Sequence, residues 1–311
     1  MANKVLVPQI AVPYVKDDLA KHHLKMISTS NAQKADELLS KGKDAVAVML
    51  LGAPFTKDMI DQMPNLKVIS RFGVGYDNVD YRYAAKKGIK VTNTPGANAA
   101  SVAEAAVTDI LILSKHSYSI SKAMREGDND YVAKHPTNEL AGKTVGIIGF
   151  GHIGRMVAKM LSGFNVNVLI WNRHPKQSQY GKFVDWDTLL KQSDFITLHV
   201  PATPDTIHSI STNEFKMMKD SAHIVNFARG SVIDQKALVE ALKSGEIAGA
   251  GLDVYEKEPL PEDSELRKLP NVYLTPHNAG HSYEAIERMS TRAASEMERV
   301  INNEQPKWQI N

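Results

Sequence analysis

The 311-residue chain contains no cysteine, which excludes disulfides, thiolate metal sites and a cysteine nucleophile, and fits a reducing compartment. It also lacks any block of like charge: 37 Lys and Arg stand against 35 Asp and Glu, a balance that points neither to nucleic acid nor to an anionic membrane surface. The longest apolar stretch, around Ala45–Leu51, is too short to span a bilayer. The chain enters an apolar segment at once, Val5-Leu6-Val7, without a basic region and cleavage site before it, so a cytoplasmic location is the expectation. No period of 20–50 residues suggests a solenoid. What is present is 43% hydrophobic residues on a chain longer than one core usually serves, which implies two domains.

Apolar segments of strand length alternate with helical periodicity twice over. In the first part, Val5–Val7, Ala45–Leu50, Leu66–Ser70 and Ile89–Val91 read as buried strands, with helices near Asp17–Met26, Ala32–Lys41, Lys57–Met63 and Tyr81–Lys87. After Lys143 the pattern restarts: Val145–Ile148, Val166–Trp171, Phe195–Val200, His223–Phe227, Ile247–Leu252 and Val272–Leu274. Ser211 to Glu214 forms a capping box, Asp234 can cap a helix ending at Gly245, and Ser282 can cap a last helix through Val300. Alternation of this kind predicts an α/β fold of two doubly wound parallel sheets covered by helices on both faces. Between the halves, Ala99–Leu113 is apolar around most of its circumference. That pattern reads equally as an interdomain core helix or a subunit interface.

The strand Val145–Ile148 runs into Gly149-Phe150-Gly151-His152-Ile153-Gly154. Glycines at these spacings permit a tight strand-to-helix turn, close approach of a pyrophosphate and close helix packing, while the helix N-terminus favours negative charge. The motif therefore predicts a dinucleotide site. An acidic residue at the end of the next strand would hold the ribose hydroxyls of NAD; here the sequence is Trp171-Asn172-Arg173-His174. Without the acid, and with Arg173 able to bond a 2′-phosphate, NADP(H) is favoured over NAD(H).

The chain resembles the D-isomer-specific 2-hydroxyacid dehydrogenases over essentially its whole length. Motifs in order carry the resemblance: Arg71 to Asp80, Asn93-Thr94-Pro95-Gly96, the glycine fingerprint, Leu198-His199-Val200-Pro201, Ala228-Arg229-Gly230, Asp253 to Pro259, and Pro276-His277. It implies a flavodoxin-like substrate domain, residues 1–97 and 283–311, flanking a Rossmann dinucleotide domain, residues 98–282. It also implies a homodimer built through the nucleotide domain, and Val200, Pro201 and Asp253 as cofactor contacts, Asp253 at the nicotinamide carboxamide.

Reducing a 2-oxo acid requires a cation at its carboxylate and carbonyl oxygen, a proton for the forming alkoxide, and a partner that keeps the donor protonated. The resemblance gives these roles to Arg229, His277 and Glu258. A guanidinium fork suits the carboxylate, and an adjacent anion favours imidazolium. On the substrate side, Gly73 and Gly75 leave the N–H groups of Val74 and Gly75 open to cradle an acid. His277 and His281 are four apart, but Asn278-Ala279-Gly280 between them supplies no glutamate base and no third ligand cluster is visible, so no metal is expected.

The expected substrate is a small unphosphorylated 2-oxo acid of the glyoxylate or hydroxypyruvate type. Met49-Leu50-Leu51 stands where the similar phosphoglycerate dehydrogenases carry an arginine, although Arg71 remains available to a phosphate. The alternatives are a phosphoglycerate dehydrogenase without its regulatory domain and a nucleotide-sensing corepressor. Glu258 argues against the similar formate dehydrogenases, which carry glutamine there.

Overall fold

The computed structural model describes residues 3–175 and 177–311. The chain divides into two compact units, the first running to Asn98 and resuming at His281–Asn311, the second comprising Ala99–Gly280. In the first unit β1 (Lys4–Pro8), β2 (Lys25–Thr29), β3 (Ala47–Leu50), β4 (Val68–Arg71) and β5 (Lys90–Thr92) form a parallel sheet ordered β2-β1-β3-β4-β5. This is the flavodoxin-like order. Strand periodicity sorts its side chains: Val5, Val7 and Met49 enter one apolar cluster, while Leu6, Val48 and Leu50 enter another on the opposite face. Each fully buried aliphatic side chain of this sort contributes about 1.5–3 kcal/mol.

The second unit carries β6 (Thr144–Ile148), β7 (Asn167–Trp171), β8 (Lys182–Phe183), β9 (Phe195–Leu198), β10 (His223–Asn226), β11 (Gly249–Leu252) and β12 (Val272–Leu274), ordered β12-β11-β10-β9-β6-β7-β8 and wholly parallel. The order reverses between β6 and β9. Ligands of open parallel sheets lie outside the carboxyl ends of strands at such a switch point.

Local signals act as their chemistry requires. Ser211 and Glu214 form a reciprocal capping box, the Asp234 side chain accepts from the Ala237 amide, and that helix stops at Gly245 with φ +74°. Ser282 caps the helix Tyr283–Ile301. The helix expected at Asp17–Met26 instead spans Val12–Lys21, and Lys25–Thr29 is the edge strand β2. His23 takes a left-handed φ of 57° and breaks the chain between them, a turn that most sequences mark with glycine. The apolar helix, Ala99–Lys115, packs within the second unit against the helix His152–Leu161 and strands β10 and β11.

A buried hydroxyl chain ties the last helix to the first sheet. Thr92 Oγ1 on β5 donates to Ser70 Oγ on β4 at 3.0 Å, and Ser70 donates to the Ala293 carbonyl at 3.0 Å. Ser70→Ala leaves the Thr92 hydroxyl buried without its acceptor. It should cost about 1–3 kcal/mol, the usual penalty for an orphaned buried polar group. The urea midpoint checks this, and an unchanged midpoint would show that the chain contributes nothing.

Candidate active site

The glycine loop after β6 has the shape its residues imply. Gly149 adopts φ +98°, and a Cβ there would stand 2.6 Å from the His199 carbonyl oxygen of the neighbouring strand end. A Cβ on Gly154 would strike the Gly149 carbonyl, whereas one on Gly151 would meet nothing within 4 Å. Two glycines thus permit close packing, and the third leaves open space above the first turn of the helix His152–Leu161. The early amides of that helix, including those of His152 and Ile153, have no intrahelical acceptor. An open cradle over a helix N-terminus fits the pyrophosphate of a dinucleotide.

At the end of β7, Asn172 is engaged with the loops around it. Its Oδ1 accepts from the Phe150 amide at 3.1 Å, and its Nδ2 donates to the His174 carbonyl at 2.9 Å. No carboxylate occupies that strand end. Arg173 and His174 are exposed, and Arg173 Nη2 pairs with Asp205 Oδ2 at 2.5 Å. Asp205 belongs to the loop after β9, where Val200 and Pro201 lie and where Thr206 Oγ1 donates to the Pro201 carbonyl at 2.6 Å.

Arg229, Glu258 and His277, scattered in sequence, follow β10, β11 and β12, three adjacent strands of one sheet. His277 Nδ1 and Glu258 Oε2 are 2.6 Å apart, and Glu258 Oε1 accepts from the Tyr255 amide at 3.1 Å. Burial pushes the Glu258 carboxyl up, but the hydrogen bond and charge of His277, the Tyr255 amide and the charge of Arg229 outweigh it and hold Glu258 below the usual glutamate range. Arg229 lies partly buried between Ala228 and Gly230, with Nη1 donating to the Ala228 carbonyl at 2.8 Å. With Glu258 on Nδ1, the imidazole Nε2 is the atom left to exchange a proton.

The segment that carries His277 is held from behind by residues whose roles spacing alone does not reveal. Asp253 is 2% exposed. Its Oδ1 accepts from Thr275 Oγ1 at 2.6 Å and the Asn278 amide at 2.9 Å, and its Oδ2 from the Ala279 amide at 3.1 Å. These three bonds bracket His277, which sits at a left-handed φ of 53°. Tyr255 adds a second tie, its hydroxyl lying 3.0 Å from the Leu252 carbonyl and 2.7 Å from that of Thr275. A Tyr two residues after the aspartate was the available signal, but an aromatic at a strand end reads equally as core.

In the first unit the loop after β4 is pinned through its carbonyls. Thr94 N donates to the Gly73 carbonyl at 2.9 Å, Asn93 Nδ2 to Val74 at 2.8 Å and Arg71 Nε to Gly75 at 2.8 Å. Arg71, expected to be available to a phosphate, is instead 8% exposed and also donates to the Leu50 carbonyl at 2.5 Å. Its guanidinium is part of the loop's scaffold.

Comparison with known proteins gives the family. Residues 107–279 match the family described as D-isomer specific 2-hydroxyacid dehydrogenase, NAD binding domain. A glyoxylate reductase of Thermofilum pendens is 39% identical over 98% of this chain and 92% of its own, and one of Thermococcus litoralis is 40% identical over 88% and 86%. Among solved structures, an NAD-dependent formate dehydrogenase from Staphylococcus aureus in complex with NAD is 32% identical, covers 99% of both chains and superposes with a TM-score of 0.89. No helix among the described residues is long and apolar enough to cross a membrane. The chain belongs to the D-isomer-specific 2-hydroxyacid dehydrogenase family and is a nicotinamide-dependent oxidoreductase.

Proposed function

We propose that the enzyme reduces a small unphosphorylated 2-oxo acid, of the glyoxylate or hydroxypyruvate type, to its D-2-hydroxy acid at the expense of NADPH. The observation that carries the chemistry is the 2.6 Å contact between His277 Nδ1 and Glu258 Oε2. The bound nicotinamide supplies the hydride. Arg229 holds the substrate carboxylate and polarises the carbonyl oxygen, and His277 Nε2 delivers a proton to that oxygen as charge develops on it. Glu258 orients the ring through Nδ1 and offers a counter-charge to the imidazolium. The Val74 and Gly75 amides are the proposed anion-binding groups of the first unit. Gly149, Gly151, Gly154, His152 and Ile153 receive the pyrophosphate, and Val200 and Pro201 line the cofactor's path. Asp253, whose two oxygens bond the His277 segment, serves as that segment's anchor in this reading. The buried Arg71 and the absence of arginine in Met49-Leu50-Leu51 favour a substrate without phosphate. The proposed assembly is a cytoplasmic homodimer formed through the second unit, where Ala105, Leu111 and Leu113 of the apolar helix are only partly buried.

The preference for NADPH rests on Arg173 and on the missing carboxylate at Asn172. Arg173→Ala should raise the KM for NADPH by about 10- to 100-fold, the loss of a charge-assisted hydrogen bond, and barely change that for NADH. Equal effects on both cofactors, or a wild-type preference for NADH, would contradict the assignment.

Arg229→Lys keeps the charge but not the planar fork. A fall in kcat/KM for 2-oxo acids of about 10²-fold or more is expected, with cofactor affinity nearly intact. Near-normal turnover would remove Arg229 from the site.

Reduction needs His277 protonated and oxidation needs it neutral, so reductive kcat/KM should fall with rising pH while oxidative kcat/KM rises. Glu258→Gln removes the anion that favours imidazolium and should move the alkaline limb of reduction to lower pH. Because wild-type Glu258 stays ionised below the ordinary glutamate range, the acid side of the profile should extend below that range. His277→Ala should abolish the alkaline limb and cost on the order of 10²–10⁴ in rate. A limb unchanged in that variant would place the proton source elsewhere.

A further inference from the structure

The helix Ala99–Lys115 buries an acid that the reaction does not use. Asp109 is 3% exposed, and its Oδ2 has no hydrogen-bond partner among the described residues. It rests on β11: a Cβ added to Gly251 would stand 2.8 Å from that oxygen, so the strand accommodates the carboxyl by having no side chain there. Two residues beyond Gly251 is Asp253, the carboxylate that brackets His277. Burial, and then the charge of Asp253, push the Asp109 carboxyl up to about 7.

The remaining titratable groups around it do not offer Asp109 a counterion. Tyr273 on β12 is a neighbour whose phenol burial and then the Asp109 charge push up. His223 on β10 is itself pushed down to about 4 by burial and by His116 at the end of the helix, so it is neutral near pH 7. Glu104 on the same helix, Arg155 and Lys159 on the helix His152–Leu161, and Lys122 and Arg125 on the helix Ser117–Arg125 are all exposed.

We propose that Asp109 is a positioning residue for the His277 segment, acting through Asp253. With Asp109 neutral, Asp253 is the single negative charge behind Thr275, Asn278 and Ala279, and its three hydrogen bonds hold the segment in the left-handed turn. With Asp109 ionised, a second uncompensated charge is buried against the strand that leads to Asp253, and the hold on the segment weakens. The enzyme then carries a second ionisation behind the site, separate from that of His277. The consequence for catalysis rests on the role proposed above for His277.

Oxidation of the hydroxy acid separates the two ionisations, because loss of the His277 proton favours it whereas ionisation of Asp109 opposes it. Wild type should therefore show a rising limb followed by a fall on the alkaline side. Asp109→Asn, neutral and of equal size, should keep the rising limb and lose the fall, gaining on the order of 5-fold in kcat/KM at high pH and nothing at low pH. A substituent whose only role is packing would shift the profile uniformly.

Two readouts need no turnover. The His277 ring resonances in histidine-labelled protein should show a second titration step in wild type that Asp109→Asn lacks. The melting temperature gives the other. Between pH 3.8 and about 7 the unfolded chain has released a proton that the native one retains, so the Asp109 contribution to stability falls as pH rises across that window and is level above it. The advantage of Asp109→Asn in Tm should accordingly grow across the window to on the order of 10 °C. If the asparagine variant does not fold, Asp109→Ser provides the same neutral test. Superimposed oxidative profiles, an unchanged His277 titration or a pH-independent difference in Tm would each overturn the proposal. Failure of wild type to turn over any 2-oxo or hydroxy acid would instead count against the role of His277, leaving the resonance and melting series to decide on Asp109.

Discussion

The Asp253 carboxylate accepts hydrogen bonds from Thr275 Oγ1 and from the Asn278 and Ala279 amides, and the geometry of the site depends on that grip. His277 lies between these donors in a left-handed conformation that costs a non-glycine residue on the order of 1 kcal/mol or more. Three charge-assisted bonds are enough to hold it there. Once the backbone is fixed, the imidazole has little choice of direction, and Glu258 meets its Nδ1 at 2.6 Å. Pairing and placement are thus one construction, assembled at the ends of β11 and β12.

The same sheet explains why the functional residues lie far apart in sequence. Arg229, Glu258 and His277 follow consecutive neighbours in the strand order, and the glycine loop follows β6 on the other side of β9. Parallel strands all deliver their carboxyl ends to one edge, so each crossover adds one functional loop there. The loop after β9 contributes Asp205, which pairs with Arg173 from the loop after β7. An exposed pair of this kind is worth little to stability. The Asp205 carboxylate is an anion already beside Arg173, so a ribose phosphate reaching that guanidinium would compete with it.

Much of this was legible in the sequence because it rests on local chemistry. Buried parallel strands are continuous apolar runs, and every one of the second unit's strands except β8 was visible as such. Capping at Ser211, Asp234 and Ser282 was legible for the same reason. The strands missed were edges: β8 is only Lys182–Phe183, and β2 mixes exposed and partly buried residues. The turn before β2 is made by His23 without a glycine to mark it. The helix Trp186–Gln192 is capped by Asp185 onto Thr188, without the glutamate that completes a capping box. In the site, the pairing of Glu258 with His277 was legible in the motifs, and the supports behind it were not. Nothing in the position of Asp109 tells that its carboxyl is buried against Gly251, two residues before Asp253, and nothing in Arg71 tells that its guanidinium turns inward to Leu50 and Gly75.

Arg229 and the Glu258–His277 pair are proposed to act on one bound 2-oxo acid. A crystal structure of the enzyme with NADPH and oxamate, an unreactive analogue of such an acid, tests this proposal most directly. The oxamate carboxylate is expected on the Arg229 guanidinium and the adjacent carbonyl oxygen within hydrogen-bond distance of His277 Nε2, with Glu258 still on Nδ1. Oxamate bound away from Arg229, or a His277 ring with Nε2 turned from the carbonyl oxygen, would contradict it.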